Sequence, residues 1–451
     1  MINLNVNRVF LVGIGGIGMS ALARYFAFKG CIVCGYDKTR TALCEQLERE
    51  GIIITYLDDE SSIPLSFHTT AEDTLIIYTP AIPSNSVLLN YFKNGGFQLK
   101  KRAQVLGEIS NNSYCIAVAG THGKTTTSSL IAHILTHTKF GCNAFLGGIL
   151  SNYKTNFLFS TNNVMVVEAD EYDRSFLTLN PDIAVITSMD ADHLDIYNDA
   201  NDLKATFREF SQKVKQDGFL FKQANLPLEN GQSYAALIEA DYYADNIRVI
   251  DGAFIFNYIG KLGNIKDVKL RLPGNHNVEN AVAAITVALQ LGIDSEKIKL
   301  AVDEFLGVKR RFEVVLNTPD VKIIDDYAHH PDELKACFEA VRMLFPKKKM
   351  TVIFQPHLFS RTRDFVNEFA EVLSKPDQLL LLDIYPAREL PIEGVTSSWL
   401  LDKVSLNQKE LCKKEDVKKR IKELKPELIV IVGAGDIDTL VEPLKNLMQN
   451  A

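Results

Sequence analysis

The stretch Ala119-Gly120-Thr121-His122-Gly123-Lys124-Thr125-Thr126-Thr127 decides how the rest of the chain is read. It follows an apolar run, Tyr114-Cys115-Ile116-Ala117-Val118, of the length of a buried strand. It opens a helix with Leu130, Ile131, Ile134 and Leu135 on one face. Strand, glycine loop and helix N-terminus in that order make a phosphate cradle, because the first helical N–H groups lack partners and the helix end is positive. Gly120, Thr121, His122, Gly123, Lys124, Thr125 and Thr126 are therefore the candidate ATP contacts. Lys124 would reach the terminal phosphates, and the Thr125 hydroxyl would hold Mg²⁺. Val118 stands where the full G-x-x-x-x-G-K-[ST] pattern begins with glycine. A lysine on a polar loop is not core, so Lys124→Ala is expected to abolish phosphoryl transfer with little loss of stability.

Upstream, a strand at Arg8 to Val12 runs into Gly13-Ile14-Gly15-Gly16-Ile17-Gly18 and a helix, and Asp37 closes the next strand. That is a dinucleotide fingerprint with an acid placed for a ribose hydroxyl. Leu75 to Tyr78 reads as another buried strand, and a domain boundary is expected near Ser110. Downstream, Val164 to Val167 delivers Glu168-Ala169-Asp170-Glu171, and Ile183 to Thr187 delivers Asp190-Ala191-Asp192-His193-Leu194-Asp195. Acids at strand ends beside a phosphate loop suit metal and phosphate ligation. Residues 217–272 read as short strands of an antiparallel patch. Asn277 and Asn280 stand at i, i+3 on one helix face, able to meet a purine edge.

From Gly307 to Glu313 a charged linker leads into a second doubly wound α/β region, with strands near 322–324, 350–354, 378–382 and 428–432. Each ends in polar residues: Asp325-Asp326-Tyr327-Ala328-His329-His330, Gln355-Pro356-His357 with Arg361 and Arg363 beyond, Asp383-Ile384-Tyr385-Pro386-Ala387-Arg388, and Gly433-Ala434-Gly435-Asp436. Adjacent His329 and His330 diverge on a loop, which argues against a metal pair. The Lys347-Lys348-Lys349 run reads as a solvated turn.

With 451 residues, 46% hydrophobic and 23% charged, the chain is of globular composition, and about 150 residues per domain suggests about three domains. The net charge of −7 invites no nucleic acid, so an anionic substrate must be met by local cations and helix ends. Seven scattered cysteines show no disulfide framework, and the lone C-x-x-C, Cys31 and Cys34, lies within a strand. No apolar run approaches the ~20 residues of a membrane span, and no leader pattern precedes the first strand. A cytoplasmic chain without membrane insertion is expected.

Taken together the motifs resemble the Mur ligases, ATP-dependent amide-bond enzymes of peptidoglycan precursor synthesis. The stretches carrying the likeness run in order: Gly13–Ser20, Arg102–Glu108, Gly120–Thr127, Glu168–Asp173, Asp190–Asp195, Asn275–Asn280, Lys309–Glu313, Asp325–Pro331, Gln355–Asp364 and Asp383–Ala387. The resemblance implies three α/β domains. Residues 1–109 would be a Rossmann-like UDP-sugar domain, 110–306 a central P-loop ATPase-like domain, and 307–451 a C-terminal Rossmann-like amino-acid domain. It implies ligation of L-alanine to the lactyl carboxylate of UDP-N-acetylmuramate through an acyl phosphate, with ATP and Mg²⁺, by a monomer or homodimer.

By the same resemblance Gly13, Gly15, Gly16, Ile17, Gly18 and Asp37 would hold the UDP-substrate. Thr125, Glu168 and His193 would bind Mg²⁺, Asn277 and Asn280 adenine, Asp326 the ribose and Arg311 the phosphates. Tyr327, His357 and Arg361 would meet L-alanine, and either His357 or His329 would accept the amine proton. With Lys124, His193 and Arg311, these two histidines make up the candidate catalytic set. Because these groups lie on different domains, the last domain is expected to close about the Gly307–Arg311 hinge. Rival readings are a murein peptide ligase, a nicotinamide-dependent dehydrogenase and a non-catalytic nucleotide-binding regulator. The dehydrogenase leaves Lys124, Glu168 and His193 without work.

Overall fold

A computed structural model describes residues 6–68, 71–190, 197, 199–250, 252–387 and 389–449. The first sheet holds β1 (Arg8–Val12), β2 (Ile32–Tyr36), β3 (Ile53–Thr55), β4 (Thr74–Tyr78) and β5 (Gln98–Lys101), all parallel, in the order β3-β2-β1-β4-β5. Helices α1 (Ile17–Phe28), α2 (Ala42–Arg49), α3 (Val87–Asn94) and α4 (Arg102–Asn111) cover it. Strand period two sorts the core: Val9 and Leu11 pack with Met19, Leu22 and Phe26 on one face, while Phe10 and Val12 pack with Leu88 and Phe92 on the other. The strand order reverses between β1 and β4, and ligands of open parallel sheets bind at such a switch point.

The second sheet has ten strands: β6 (Tyr114–Ala119), β7 (Asn143–Leu150), β8 (Thr155–Leu158), β9 (Val164–Ala169), β10 (Ile183–Ile186), β11 (Phe219–Gln223), β12 (Gln232–Ala235), β13 (Tyr242–Ile250), β14 (Ala253–Gly260) and β15 (Ile265–Leu270). Its order is β15-β14-β13-β12-β11-β10-β6-β9-β7-β8, with α5 (Lys124–His137), α6 (Ala200–Gln212), α7 (Asn275–Gln290) and α8 (Ser295–Glu304). The antiparallel patch expected over 217–272 needs correction. β11 joins β10, β12 joins β11 and β13 joins β12, each in parallel. Alternating burial shows which face a residue takes but is the same for either strand direction.

The third sheet holds β16 (Glu313–Asn317), β17 (Lys322–Asp326), β18 (Met350–Phe354), β19 (Gln378–Leu381), β20 (Lys409–Leu411) and β21 (Leu428–Val432). The order is β16-β17-β21-β18-β19-β20, parallel except for the edge strand β16. Around it run α9 (Pro331–Leu344), α10 (Phe359–Asp364), α11 (Val366–Leu373), α12 (Ser397–Lys403), α13 (Val417–Leu424) and α14 (Val441–Gln449). The α/β architecture expected from the strand and helix alternation is the one observed. The chain divides into two compact units: Met1–Ile247, Phe256–Lys269 and Glu279–Phe305 form one, and Arg248–Ile255, Leu270–Val278 and Leu306–Ala451 the other. Among the described residues no helix is long and apolar enough to cross a membrane.

Candidate active site

β6 lies between β10 and β9, so the loop leaving its C-terminal end meets the ends of both neighbours. Gly120 (φ 142°) and Gly123 (φ 79°) adopt backbone that L side chains rarely take. A Cβ on Gly120 would sit 2.0 Å from Thr187 Oγ1, and one on Gly123 would sit 2.8 Å from Asn280 Oδ1. The two residues after β10 strap the loop down: the Thr187 hydroxyl donates to the Ala119 carbonyl at 3.1 Å, and Ser188 Oγ accepts from the His122 N–H at 2.7 Å. The Thr121 hydroxyl accepts from the Asp190 N–H at 3.1 Å. The N-cap of α5, Gly123, offers no side chain, and among the described residues the helix has no side-chain cap. Its first N–H groups therefore face outward at the positive helix end, where an anion is favoured.

Lys124 is largely enclosed, with 13% of its side chain exposed, and its ammonium lies 2.8 Å from the fully buried carboxylate of Glu171. It also donates to the Gly120 carbonyl. Burial pulls its pKa down, and the carboxylates of Glu171, Glu168 and Asp170 outweigh that and leave it raised. Thr125 donates its hydroxyl to Glu168 Oε1 at 3.0 Å, and the other Glu168 oxygen accepts from the Gly147 N–H at 3.0 Å. Two of the three expected Mg²⁺ ligands are thus in contact, from α5 and β9. The third, His193, lies outside the described residues.

Asn277 and Asn280 share α7 and are buried, at 6% and 7% exposed. Their amides already have protein partners: Asn277 donates to the Pro273 carbonyl at 2.7 Å, and Asn280 accepts from the Thr127 hydroxyl at 3.1 Å. Position 280 therefore braces the phosphate loop besides any contact with a base.

In the first sheet Gly13 turns at φ 91° and its N–H, like that of Ile14, donates to the Tyr36 carbonyl. α1 begins after Gly16 with no side-chain cap and no acid in its first turn, which leaves Ile17 and Gly18 at a bare helix N-terminus. Asp37 accepts from the Gly15 N–H at 2.8 Å and the Thr39 N–H at 3.1 Å, so its carboxylate holds the glycine loop in shape. A Cβ on Gly18 would sit 2.9 Å from Arg102 Nη1, and Arg102 lies 3.5 Å from Asp170. That arginine brings a cation from α4 to the start of α1 within the same unit.

In the second unit Arg310 (φ 60°) and Phe312 (φ 49°) are left-handed. Asp326 fixes that bend, accepting from the Phe312 N–H at 2.6 Å and the Ala328 N–H at 2.7 Å. Burial raises its pKa to about 6, against the pull of Arg311 and these two N–H groups. The Tyr327 ring carries two guanidinium groups, Arg310 and Arg311, each 5.1 Å from its centroid. Arg310 further reaches the Gly433 carbonyl, Asp325 at 3.7 Å and Asp438 at 3.5 Å.

His329 and His357 come together, with ring centroids 5.8 Å apart, and His357 stacks on Tyr385 at 5.7 Å. His329 Nδ1 is committed to the Tyr327 carbonyl at 2.9 Å and faces Glu333 at 3.3 Å, whereas His357 Nδ1 has no partner among the described residues. Burial first, then His329 and Arg361, push the His357 pKa down to about 4, so its imidazole is neutral at pH 7. Burial also lowers the pKa of His329.

Reading the sequence overlooked three groups: Ser188 and Thr187, which strap the loop, and Glu171 as the partner of Lys124. Single polar residues at strand ends have no spacing signature. Tyr385 lay in a quoted polar strand end, Asp383 to Arg388, and only the fold brings it beside His357. Size alone does not find the site either. A cavity of about 730 Å³ opens among Lys347, Lys349, Gln378, Lys409 and Lys425, at the opposite ends of β18 and β19 from His357 and Tyr385.

Three family models match: Mur ligase family, catalytic domain, over residues 8–114; Mur ligase middle domain over 118–288; and Mur ligase, glutamate ligase domain, over 310–435. A UDP-N-acetylmuramate–L-alanine ligase of Christiangramia forsetii is 48% identical over 444 residues, 98% of each chain. One of Flavobacterium psychrophilum is 50% identical over the same span and coverage. Among solved structures, UDP-N-acetylmuramate-alanine ligase of Thermotoga maritima superposes with a TM-score of 0.85 at 26% identity, covering 98% of this chain and 99% of its own. A murein peptide ligase of Psychrobacter arcticus shares the fold, with a TM-score of 0.70 at 21% identity over 98% and 99% of the two chains.

Proposed function

This chain belongs to the Mur ligase family of ATP-dependent ligases, and on that premise we propose that it joins L-alanine to the lactyl carboxylate of UDP-N-acetylmuramate in peptidoglycan synthesis. The products would be UDP-N-acetylmuramoyl-L-alanine, ADP and phosphate. The observation that carries this reading is near full-length identity of 48% and 50% to proteins bearing that activity as their name. The rival dehydrogenase fares worse, because it gives no work to the Lys124, Thr125 and Glu168 cluster.

A carboxylate is a poor electrophile, so its oxygen first takes the γ-phosphoryl group. The bare N-terminus of α5 and the Lys124 ammonium supply fixed positive charge for the transferring group. Arg311, oriented against Tyr327, would add a second cation, and Asp326 would shape the bend that carries it. The amine of L-alanine then attacks the acyl carbon, and the amide C–N bond forms as the C–O bond to phosphate breaks and phosphate leaves. The amine must lose a proton, and His357 is the better placed acceptor, with a neutral ring and an unpartnered Nδ1, whereas His329 Nδ1 is already committed. Tyr327 and Arg361 would hold the amino acid. The uncapped α1 and its glycine loop would hold the substrate diphosphate.

Mg²⁺ suits the oxygen pair Thr125 and Glu168, since that ion takes hard oxygen ligands, with one or two carboxylates beside phosphate and water. When bound it would neutralise phosphate charge during transfer. The reaction would take place in the cytoplasm, where nucleotide-linked precursors and ATP are available.

The test is phosphate release from ATP and UDP-N-acetylmuramate while the amino acid is varied. Release should require both the sugar and L-alanine. Faster release with a peptide acceptor than with L-alanine would overturn the assignment in favour of a peptide ligase. Release without any acceptor would sink the ligase reading.

A further inference from the structure

Glu171 has no exposed surface, yet it carries a carboxylate with both oxygens on one cation, Lys124 Nζ, at 2.9 and 2.8 Å. The loop that places it is held from several sides. The Glu171 carbonyl accepts from the Tyr197 hydroxyl at 2.6 Å, and the Phe176 N–H donates to the Asp170 carbonyl at 3.0 Å. Asp173 and Arg174 stand in left-handed backbone at φ 54° and 52°. The Arg174 guanidinium grips both oxygens of Asp202 at 2.8 Å and lies 5.3 Å over the Tyr197 ring. Non-glycine residues in that conformation persist where their surroundings over-determine them, and they gather at functional sites. What this loop holds in place is a buried negative charge against the lysine of the phosphate loop.

We propose that Glu171 is a positioning residue that acts through Lys124. Its carboxylate stands in for phosphate charge and sets how tightly the nucleotide is held. The inference rests on the reading that Lys124 contacts ATP phosphates. An enclosed cation needs a counter-charge. Glu171 provides it whether or not nucleotide is present, while a bound nucleotide brings a second source of negative charge to the same ammonium. Removing the Glu171 charge therefore destabilises the free protein more than the nucleotide complex. By thermodynamic linkage, that difference appears as tighter nucleotide binding. In the natural protein the carboxylate repels the phosphates and takes part of the lysine's charge. This weakens ground-state binding and favours the departure of ADP and phosphate after each turnover.

The variant Glu171→Gln keeps the shape and removes the charge. Calorimetric titration with ADP should show binding tighter by on the order of tenfold. Thermal melting should show a lower midpoint without ADP and a smaller deficit against the natural protein at saturating ADP. The turnover number should fall while KM for ATP falls with it. A merely structural role predicts an equal deficit with and without ADP and unchanged or weaker affinity, and that result overturns the proposal. Should Glu171→Gln fail to fold, Lys124→Met is compared with Lys124→Met/Glu171→Gln. The double variant should be the more stable, since it buries no lone charge, and a double variant no more stable than the single overturns the pairing. If Lys124→Ala binds ADP as well as the natural protein, the ATP-site reading fails and this inference with it. If Lys124→Ala weakens ADP but Glu171→Gln does not tighten it, only the role of Glu171 is lost.

Discussion

The ion pair between Lys124 and Glu171 changes what a single substitution should do. From the sequence, Lys124 sits on a polar loop and its loss should spare stability. In the folded chain it is 13% exposed against a carboxylate that is 0% exposed. Breaking a buried pair on one side leaves an uncompensated charge, at a cost of about 3–5 kcal/mol. Lys124→Ala should therefore lower the urea midpoint clearly, besides slowing phosphate release on the order of a hundredfold or more. A variant that melts like the natural protein contradicts the structural half, and one with near-normal release contradicts the catalytic half. His133 gives a second prediction at this scale. It is 2% exposed, with Nε2 facing the Ala301 carbonyl at 2.9 Å and Nδ1 facing the Tyr153 hydroxyl at 3.0 Å. Burial lowers its pKa from 6.5 to about 4. Between those values the unfolded chain binds the proton more readily. The stability from a neutral His133 is thus complete above pH 6.5 and is lost as pH falls toward 4, on the order of 3 kcal/mol. Urea midpoints at pH 7.5 and 4.5 should differ less in His133→Gln than in the natural protein. An equal difference in the two would show that other groups carry the pH dependence.

Elements were legible where a periodic apolar pattern met a terminal signal. β6, the glycine loop and α5 could be placed from residues 114–135 because a buried strand, glycines with special backbone and a one-faced helix follow without a gap. The directions of β11, β12 and β13 could not, since alternation looks the same in parallel and antiparallel pairing. Nor could the join between the first two sheets, which depends on residues far apart in the chain. Asn156 in β8 is 0% exposed; its amide donates to the Ile17 carbonyl at 2.5 Å and to Ser20 Oγ at 2.9 Å, and its carbonyl accepts from Arg24. Arg24 in turn is paired with Glu50 at 2.7 Å. One asparagine therefore fixes the first turn of α1, the helix proposed to meet the substrate diphosphate. Asn156→Ala leaves a buried guanidinium N–H unmet, which costs about 1–3 kcal/mol. It should also raise KM for UDP-N-acetylmuramate several-fold with little change in the turnover number. Steady-state kinetics separates the two constants, and an unchanged KM in a destabilised variant would mean that Asn156 only holds the sheets together.

Across the whole molecule, the assignments put different substrates on different units. The proposed UDP-substrate contacts, Gly13 to Gly18 and Asp37, belong to the unit that holds the first sheet and most of the second, and the proposed L-alanine contacts Tyr327, His357 and Arg361 belong to the other. Net charge of −7 gives the anionic UDP-substrate no long-range welcome and the zwitterionic L-alanine no net attraction, so on this proposal each is held by local groups: the uncapped α1 and Arg102 for one, Arg361 for the other. Local holding leaves a local footprint in amide hydrogen exchange. UDP-N-acetylmuramate alone should slow exchange in peptides covering residues 13–20, where free helix N–H groups gain an acceptor, and in the neighbouring 102–108. L-alanine alone, being small, should slow only residues 327–330 and 357–361. At a concentration a hundred times its dissociation constant, a ligand stabilises its binding state by about 2.7 kcal/mol, which is roughly a hundredfold slower exchange for amides that open only when the ligand leaves. That is well within what the measurement resolves. If UDP-N-acetylmuramate protected residues 327–330 and left 13–20 unchanged, the substrate assignments of the two units would have to be exchanged.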